Sequence, residues 1–347
     1  MAPRSWGWWT EQKLDILGDY LQAFTRASKK AGETVYLDLF AGRPDNISRG
    51  RNPRLIRGSA RRALETRPPL THLRFFELES NAAKLERDLS TEYPDRANDF
   101  KVIPGDCNAK IAETLAGLRH LNMLPTFAFL DQQSTEVHWS TIEELARHKR
   151  PDKWKTEIWL LCANGLLPRG LRLRNEDIDK LVAEKMTRMF GTDIWIEALT
   201  ASREGLLTPA QFRDELTNLM RWRLEQDLGY EATLDFQVTN TGGSEIFNMI
   251  FATDHWAGEK IMTDLLEAAR RRQPALRRKA QLQRRQTKLE KTGIHGLFDL
   301  EDLAPADVRP APGFEIRHQP EPPRPPYRLP GHAPRHAQDQ NEAKAGS

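Results

Sequence analysis

Four acidic residues each follow a short apolar run. Asp38 follows Val35-Tyr36-Leu37, Glu77 follows Leu73-Arg74-Phe75-Phe76, Asp106 closely follows Phe100-Lys101-Val102-Ile103, and Asp131 follows Thr126-Phe127-Ala128-Phe129-Leu130. Runs of this length, rich in aromatic and branched side chains, read as buried strands. A carboxylate at the carboxyl tip of such a strand can hold a ribose diol, an amino group or a target nitrogen, and helix N-termini arrive at the same edge. Within Asp38-Leu39-Phe40-Ala41-Gly42, the glycine lets backbone approach a ligand closely. Arg43-Pro44-Asp45 come next, so the G-x-G-x-x-G turn of a dehydrogenase-type dinucleotide site is missing. Taken alone, the stretch fits either a ligand turn or an ordinary buried strand and turn.

The elements between these tips read as helices. Leu14, Leu17, Tyr20, Leu21 and Phe24 recur at helical spacing ahead of the first strand, with Thr10 as the expected N-cap and Glu11 in the first turn. Trp6, Trp8 and Trp9 precede that helix and suit aromatic packing or stacking on a base. Helices are also expected near Ser59-Ala60, from Asn81 to Leu89, from Ala109, and near Thr141 to Leu145. A fifth strand, Glu157 to Cys162, ends at Asn164-Gly165, and residues 166–230 read as a helical insert whose Met186 and Met189 belong to its core. Thr233 to Val238 and Ile246 to Thr253 then flank Gly242-Gly243 as a hairpin. The expected fold is α/β: a mostly parallel sheet of Rossmann-like type, closed by an antiparallel hairpin, with a helical insert.

Charge and composition add constraints. The 347 residues are 39% hydrophobic with a mean hydropathy of -0.66, enough for a core but with a large polar share. No long apolar span and no charged-then-apolar leader is evident, so a cytoplasmic protein without a membrane segment is expected. Cys107 and Cys162 cannot supply a four-ligand zinc site, and no metal centre is expected. Between Arg270 and Lys291 ten Lys or Arg face Glu290 alone, whereas the whole chain carries only +3, so basic character is concentrated there. This segment, with Arg277, Arg278, Arg284 and Arg285, reads as a helical extension over 271–295, broken or kinked at Pro274, and suits nucleic acid or an acidic protein. A second basic stretch runs from Arg43 to Arg62 and reads as a long loop. Its arginines, among them Arg49, Arg51, Arg54 and Arg57, could hold phosphate or be simply solvated. Residues 296–347 hold Pro322-Pro323 and Pro325-Pro326 and read as a disordered tail after a domain spanning 1–270.

At this point the residues resemble a known family. Leu37-Asp38-Leu39-Phe40-Ala41-Gly42 resembles the first motif of nucleic-acid methyltransferases that use S-adenosylmethionine. A narrower resemblance is to the three-Cys-motif partner proteins. It rests on Trp9-Thr10-Glu11-Gln12-Lys13-Leu14, Gly58-Ser59-Ala60-Arg61-Arg62-Ala63-Leu64, Phe76-Glu77, Gly105-Asp106-Cys107-Asn108, Phe129-Leu130-Asp131, Trp139-Ser140-Thr141-Ile142-Glu143, Phe190-Gly191 and Phe251-Ala252-Thr253-Asp254-His255.

The resemblance implies a cofactor site in which Asp38, Phe40 and Gly42 flank the methionine end of S-adenosylmethionine. Glu77 would bind the ribose hydroxyls, and Asp106 with Cys107 would approach the adenine. Asp131 would face the methyl-accepting group, a three-Cys-motif protein would be the partner, and nucleic acid the substrate. Since methyl transfer needs alignment more than acid or base strength, Asp131 and Gln132 could hold the acceptor in line by hydrogen bonds. Where the family shows Asp-Pro followed by an aromatic and Gly, this chain has Asp131-Gln132-Gln133-Ser134. Both the stacking ring and the proline are absent. The alternative expectation is therefore a non-catalytic scaffold that keeps the fold and binds the partner or nucleic acid.

Overall fold

Alternation along the central strands sets the architecture. In the computed structural model, which describes residues 5–48, 54–164, 180–240, 245–292 and 321–330, every residue of Val35–Asp38, Thr126–Leu130 and Glu157–Cys162 is buried. Burial on both faces requires a layer of helices on each side of the sheet. Val35, Leu37, Ala128, Leu130, Ile158 and Leu160 share one apolar cluster. Tyr36, Phe127, Phe129, Trp159 and Leu161 share the other, as a pleat of period two demands.

In chain order the elements begin with β1 (Ser5–Trp6), α1 (Trp8–Ala27), β2 (Val35–Asp38), β3 (Asp45–Ser48), β4 (Leu55–Arg57) and α2 (Ser59–Glu65). They continue through β5 (His72–Glu77), α3 (Glu79–Glu92), β6 (Phe100–Pro104), α4 (Cys107–Gly117), β7 (Thr126–Leu130), α5 (Trp139–Arg147) and β8 (Glu157–Cys162). The helices α6 (Lys180–Phe190), α7 (Trp195–Arg203) and α8 (Pro209–Gln226) form the insert. β9 (Ala232–Thr239), β10 (Glu245–Thr253) and α9 (Trp256–Thr292) follow.

Seven strands form one sheet in the order β6-β5-β2-β7-β8-β10-β9. The strands from β6 to β8 are mutually parallel, and β10 runs antiparallel to both β8 and β9. The protein is thus α/β, with a mostly parallel seven-stranded sheet and an antiparallel hairpin, as its sequence suggests. Helix α1 packs on the Tyr36 face through Leu14, Leu17, Tyr20, Leu21 and Phe24. The Leu37 face meets α4, α5 and the insert. Met186 and Met189 lie in that core, as expected of them. Among the described residues no helix is long and apolar enough to cross a membrane.

Several local expectations need correction. Helix α1 starts at Trp8 with Gly7 as N-cap, and Thr10 lies inside its first turn, its N–H bonded to Gly7 O at 3.1 Å. The arginine-rich stretch after Gly42 is more than a loop: β3 pairs with β4 and with β1 in a separate three-stranded sheet. Apolar Ile56 is buried beneath this small sheet and supplies part of the reason it forms. Helix α9 runs without a break through Pro274. The missing N–H and the ring are therefore accommodated within one 37-residue helix. Residues 321–330 of the Pro-rich tail are held against the insert by side-chain hydrogen bonds, which composition alone does not foretell. The Gly242-Gly243 turn, Arg49 and Arg51 lie outside the described residues, and of Arg284 only its helical backbone is described.

Candidate functional site

The parallel strands deliver their carboxyl ends to one cleft of about 890 Å³, a size typical of small-molecule sites. It opens where the strand order reverses, β2, β5 and β6 lying to one side and β7 and β8 to the other. Gly42, Glu77, Asp106 and Asp131 all line it, so residues from four strand ends meet in space. Gly42 has φ +65°, a conformation that costs an L side chain but not glycine. Phe40 adds an apolar wall beside it.

Glu77 ends β5 and is fixed by its own neighbourhood. Its Oε1 accepts from Leu78 N at 3.1 Å and from Asn81 Nδ2 at 3.2 Å, while Oε2 accepts from no described residue. Of the two caps the sequence allows, Asn108 and Asp106, it is Asp106 that N-caps α4, accepting from Asn108 N at 2.9 Å. Cys107 begins that helix and is buried, which pushes its thiol up to about 12, so the sulfur stays protonated and inert at neutral pH.

Asp131 is held by an ion pair to Lys13 of α1. Lys13 also lies 5.4 Å from the centroid of Phe247. The reading of α1 as a packing helix missed Lys13, because a single cation on an apolar helix face carries no signal of its own distant partner. Asn108, expected only as a candidate cap and as part of the Gly105-Asp106-Cys107-Asn108 motif, bridges to a distant loop. Its Oδ1 accepts from His138 N and Thr141 Oγ1, both at 2.8 Å, and its Nδ2 donates to Glu136 O at 2.9 Å. One amide thus ties the start of α4 to the loop between Asp131 and α5.

No family model matches this chain, and no curated protein matches it significantly.

Two expected site residues stand elsewhere. Gln132 is buried and turned inward, its Nε2 donating to Leu161 O at 2.8 Å and its Oε1 accepting from Val137 N at 2.9 Å. Its amide is spent on backbone groups, so it shapes the loop and does not reach the cleft. Asp38 is fully buried behind the cleft wall rather than in it. Burial raises its carboxyl to about 7 and nearby Asp131 adds to this, while hydrogen bonds from Ser59, Phe40 and Tyr36 act in the opposite direction.

Cationic side chains rim the opening: Arg43 from beyond β2, and Lys185 and Arg188 from α6. Helix α6 also contributes Val182, so the insert forms one wall of the cleft. Arg54, Arg57, Arg61 and Arg62 are engaged with acids of neighbouring elements. Arg54 bonds Glu11 at 3.0 Å and Arg57 pairs with Glu65. Arg61 pairs with Asp45 at 2.9 Å and Arg62 with Asp15 at 2.7 Å. Arg54 and Arg57 lie on or beside β4, away from the cleft lining. Arg277, Arg278 and Arg285 line a groove along α9 with Pro274, Gln281 and Leu282, apart from the cleft lining. His255 accepts from Ala257 N at 3.0 Å through Nδ1 at the start of α9, a structural role.

Proposed function

We propose that this chain is an S-adenosylmethionine-dependent methyltransferase of the three-Cys-motif partner type, acting on nucleic acid. The observation that carries the reading is the convergence of Glu77, Asp106 and Asp131 with Gly42 on one cleft at the reversal of strand order. The order β6-β5-β2-β7-β8-β10-β9, with a single inserted antiparallel strand, supports a Rossmann-like methyltransferase fold.

The donor set fits the cofactor. The unengaged Oε2 of Glu77 suits a ribose hydroxyl, and the Asp106 to Asn108 turn with Leu78 suits an adenine edge and face. Gly42 leaves room for backbone approach, and Asp131 provides a negative charge that suits a sulfonium and an amino group. When bound, the cofactor supplies an electrophilic methyl group. The chain has to align the acceptor and exclude water, which geometry can do without a strong acid or base. Lys13 fixes the Asp131 carboxylate so that one oxygen is turned toward its ammonium. Arg43, Lys185 and Arg188 suit the phosphates of an acceptor strand at the rim.

A second reading is a non-catalytic scaffold for the same class of partner. It is favoured by Gln132, which is spent on backbone, and by Lys13, which neutralises Asp131. Calorimetric titration with S-adenosylmethionine and S-adenosylhomocysteine separates the two. Saturable binding that Glu77→Ala weakens supports the cofactor site, and methyl transfer to RNA or DNA then tests the enzyme. A folded protein with no affinity for either compound supports the scaffold.

A further inference from the structure

One face of the insert, outside the cleft lining, carries a row of polar side chains. Glu215, Asn218 and Arg221 recur every three residues along α8 and so share a face. Thr208 and Gln211 start that helix with a reciprocal capping box, which fixes its first turn. Glu197 presents a fourth polar group from α7.

Along this face runs Glu321-Pro322-Pro323-Arg324-Pro325-Pro326-Tyr327-Arg328-Leu329-Pro330, without helix or strand pairing. Arg221 Nη2 donates to Glu321 O at 2.8 Å. Asn218 grips the backbone of Arg324 on both sides, donating to its carbonyl at 2.9 Å and accepting from its N–H at 3.0 Å. The Arg324 guanidinium makes a forked pair with Glu215, at 3.0 and 2.5 Å. Arg328 Nη1 donates to Glu197 Oε1 at 3.2 Å, and Leu329 N donates to Glu197 Oε2 at 3.1 Å. Pro323 is buried, and Tyr327 packs against the apolar cluster that includes the insert.

Each recognition element has a physical reason. Prolines lack an N–H, so Arg324 is the residue between the two proline pairs that can offer both backbone groups, and Asn218 reads it. A proline-rich segment is already extended before it docks, which lowers the entropy lost on binding. Two arginines four residues apart meet two glutamates on different helices. We infer that this face is a peptide-docking site for an extended Pro-Arg-Pro-Pro-Tyr-Arg segment, filled by residues 321–330 of the same chain, which staple α7 to α8.

The test uses the full chain and a fluorescein-labelled synthetic peptide of residues 321–330, followed by anisotropy. In cis the groove meets its own segment at an effective concentration of about a millimolar, so the labelled peptide should bind the wild-type chain about tenfold or more weakly than the Arg324→Ala/Arg328→Ala chain. Adding Glu215→Lys should abolish that binding. Binding to neither chain, with a wild-type circular dichroism spectrum, overturns the proposal, and so does equal affinity for both. A wild-type dimer that the arginine substitutions convert to a monomer means that the segment crosses to a second copy, which overturns the assignment within one chain. Amide exchange of the wild-type chain gives an independent reading: protection at Arg324 and Leu329 supports the site, and exchange at the rate of unstructured chain overturns it.

Discussion

Lys13 and Asp131, 118 residues apart in sequence, form an ion pair that fixes the first helix to the tip of β7. The lysine side chain is 7% exposed and the aspartate 22%, so removing one partner strands the other in poorly solvated surroundings. Lys13→Met should therefore destabilise the chain by roughly 1–3 kcal/mol, and the Lys13→Met/Asp131→Asn double variant should recover part of the loss. Urea unfolding of the two single variants and the double variant measures the coupling. A coupling of zero would mean that the pair contributes nothing net.

Glu77→Ala should leave the fold intact, since the carboxylate bonds only its own neighbours Leu78 and Asn81. If it holds a ribose hydroxyl, each charge-assisted hydrogen bond removed is worth about 1.5–3 kcal/mol, or roughly tenfold or more in affinity for S-adenosylmethionine. Unchanged affinity would sink this role for Glu77.

Asp38 is fully buried and Glu157 is buried, and burial raises each carboxyl to about 7 from 3.8 and 4.5 respectively. Between the unfolded and folded values the native chain holds protons that the unfolded chain has released. The contribution of these two groups to stability therefore falls as pH rises from about 4 to about 7, and stays lower above that. Glu157 accepts from Tyr20 Oη at 2.6 Å and Thr253 Oγ1 at 2.8 Å; a glutamine oxygen can keep one of these bonds, and its NH2 can donate to the other hydroxyl oxygen. Glu157→Gln should flatten the profile by roughly 3 kcal/mol between about pH 5 and about pH 8, read from urea midpoints. An identical slope in this variant would show that Glu157 is not the titrating group.

Gly191 follows α6 with φ +63°, and a Cβ there would strike Trp139 of α5 and Arg223 of α8. The Arg223 guanidinium stacks on Trp139 at 4.0 Å, so neither neighbour can move freely. Gly191→Ala combines left-handed strain with overpacking and should cost roughly 2–4 kcal/mol. Guanidinium chloride unfolding will register it, and a loss below about 0.5 kcal/mol would mean that the turn repacks.

If α9 carries the nucleic-acid contacts, the full chain with Arg277→Gln, Arg278→Gln and Arg285→Gln should bind single-stranded RNA or DNA with a shallower salt dependence. The slope of log affinity against log salt should drop by about 0.7 for each phosphate that the chain no longer neutralises. An unchanged slope with weakened Lys185→Gln/Arg188→Gln binding would move the footprint to the cleft rim.

Much of the fold could be read from local pattern. Apolar runs bounded by acidic or Gly residues marked the five parallel strands, and the paired β-rich runs around Gly242-Gly243 marked the hairpin, because burial on two faces leaves an unbroken apolar signature. The small β1-β3-β4 sheet was hidden: its strands are two to four residues long, and Asp45-Asn46-Ile47-Ser48 has almost no apolar periodicity. The positions of Glu77, Asp106 and Asp131 followed from strand ends. The inward turn of Gln132 did not, since it depends on Leu161 and Val137 offering backbone groups. For the same reason neither the partner of Lys13, the distant partners of Asn108 nor the seat of residues 321–330 could be found by reading neighbours in the chain.

The placement of β10 between β8 and β9 bears on how the chain can be made. Ribosomal synthesis is vectorial, and β8 and β9 emerge before the strand that joins them. Until residues 245–253 have left the exit tunnel, the apolar edge of β8, Glu157–Cys162, has no hydrogen-bonding partner on that side. A nascent chain stalled or cut short before β10 exposes a sheet edge of the kind that invites intermolecular pairing. Truncated products should therefore aggregate, and full-length yield should respond to slower translation or to chaperones that shield that edge.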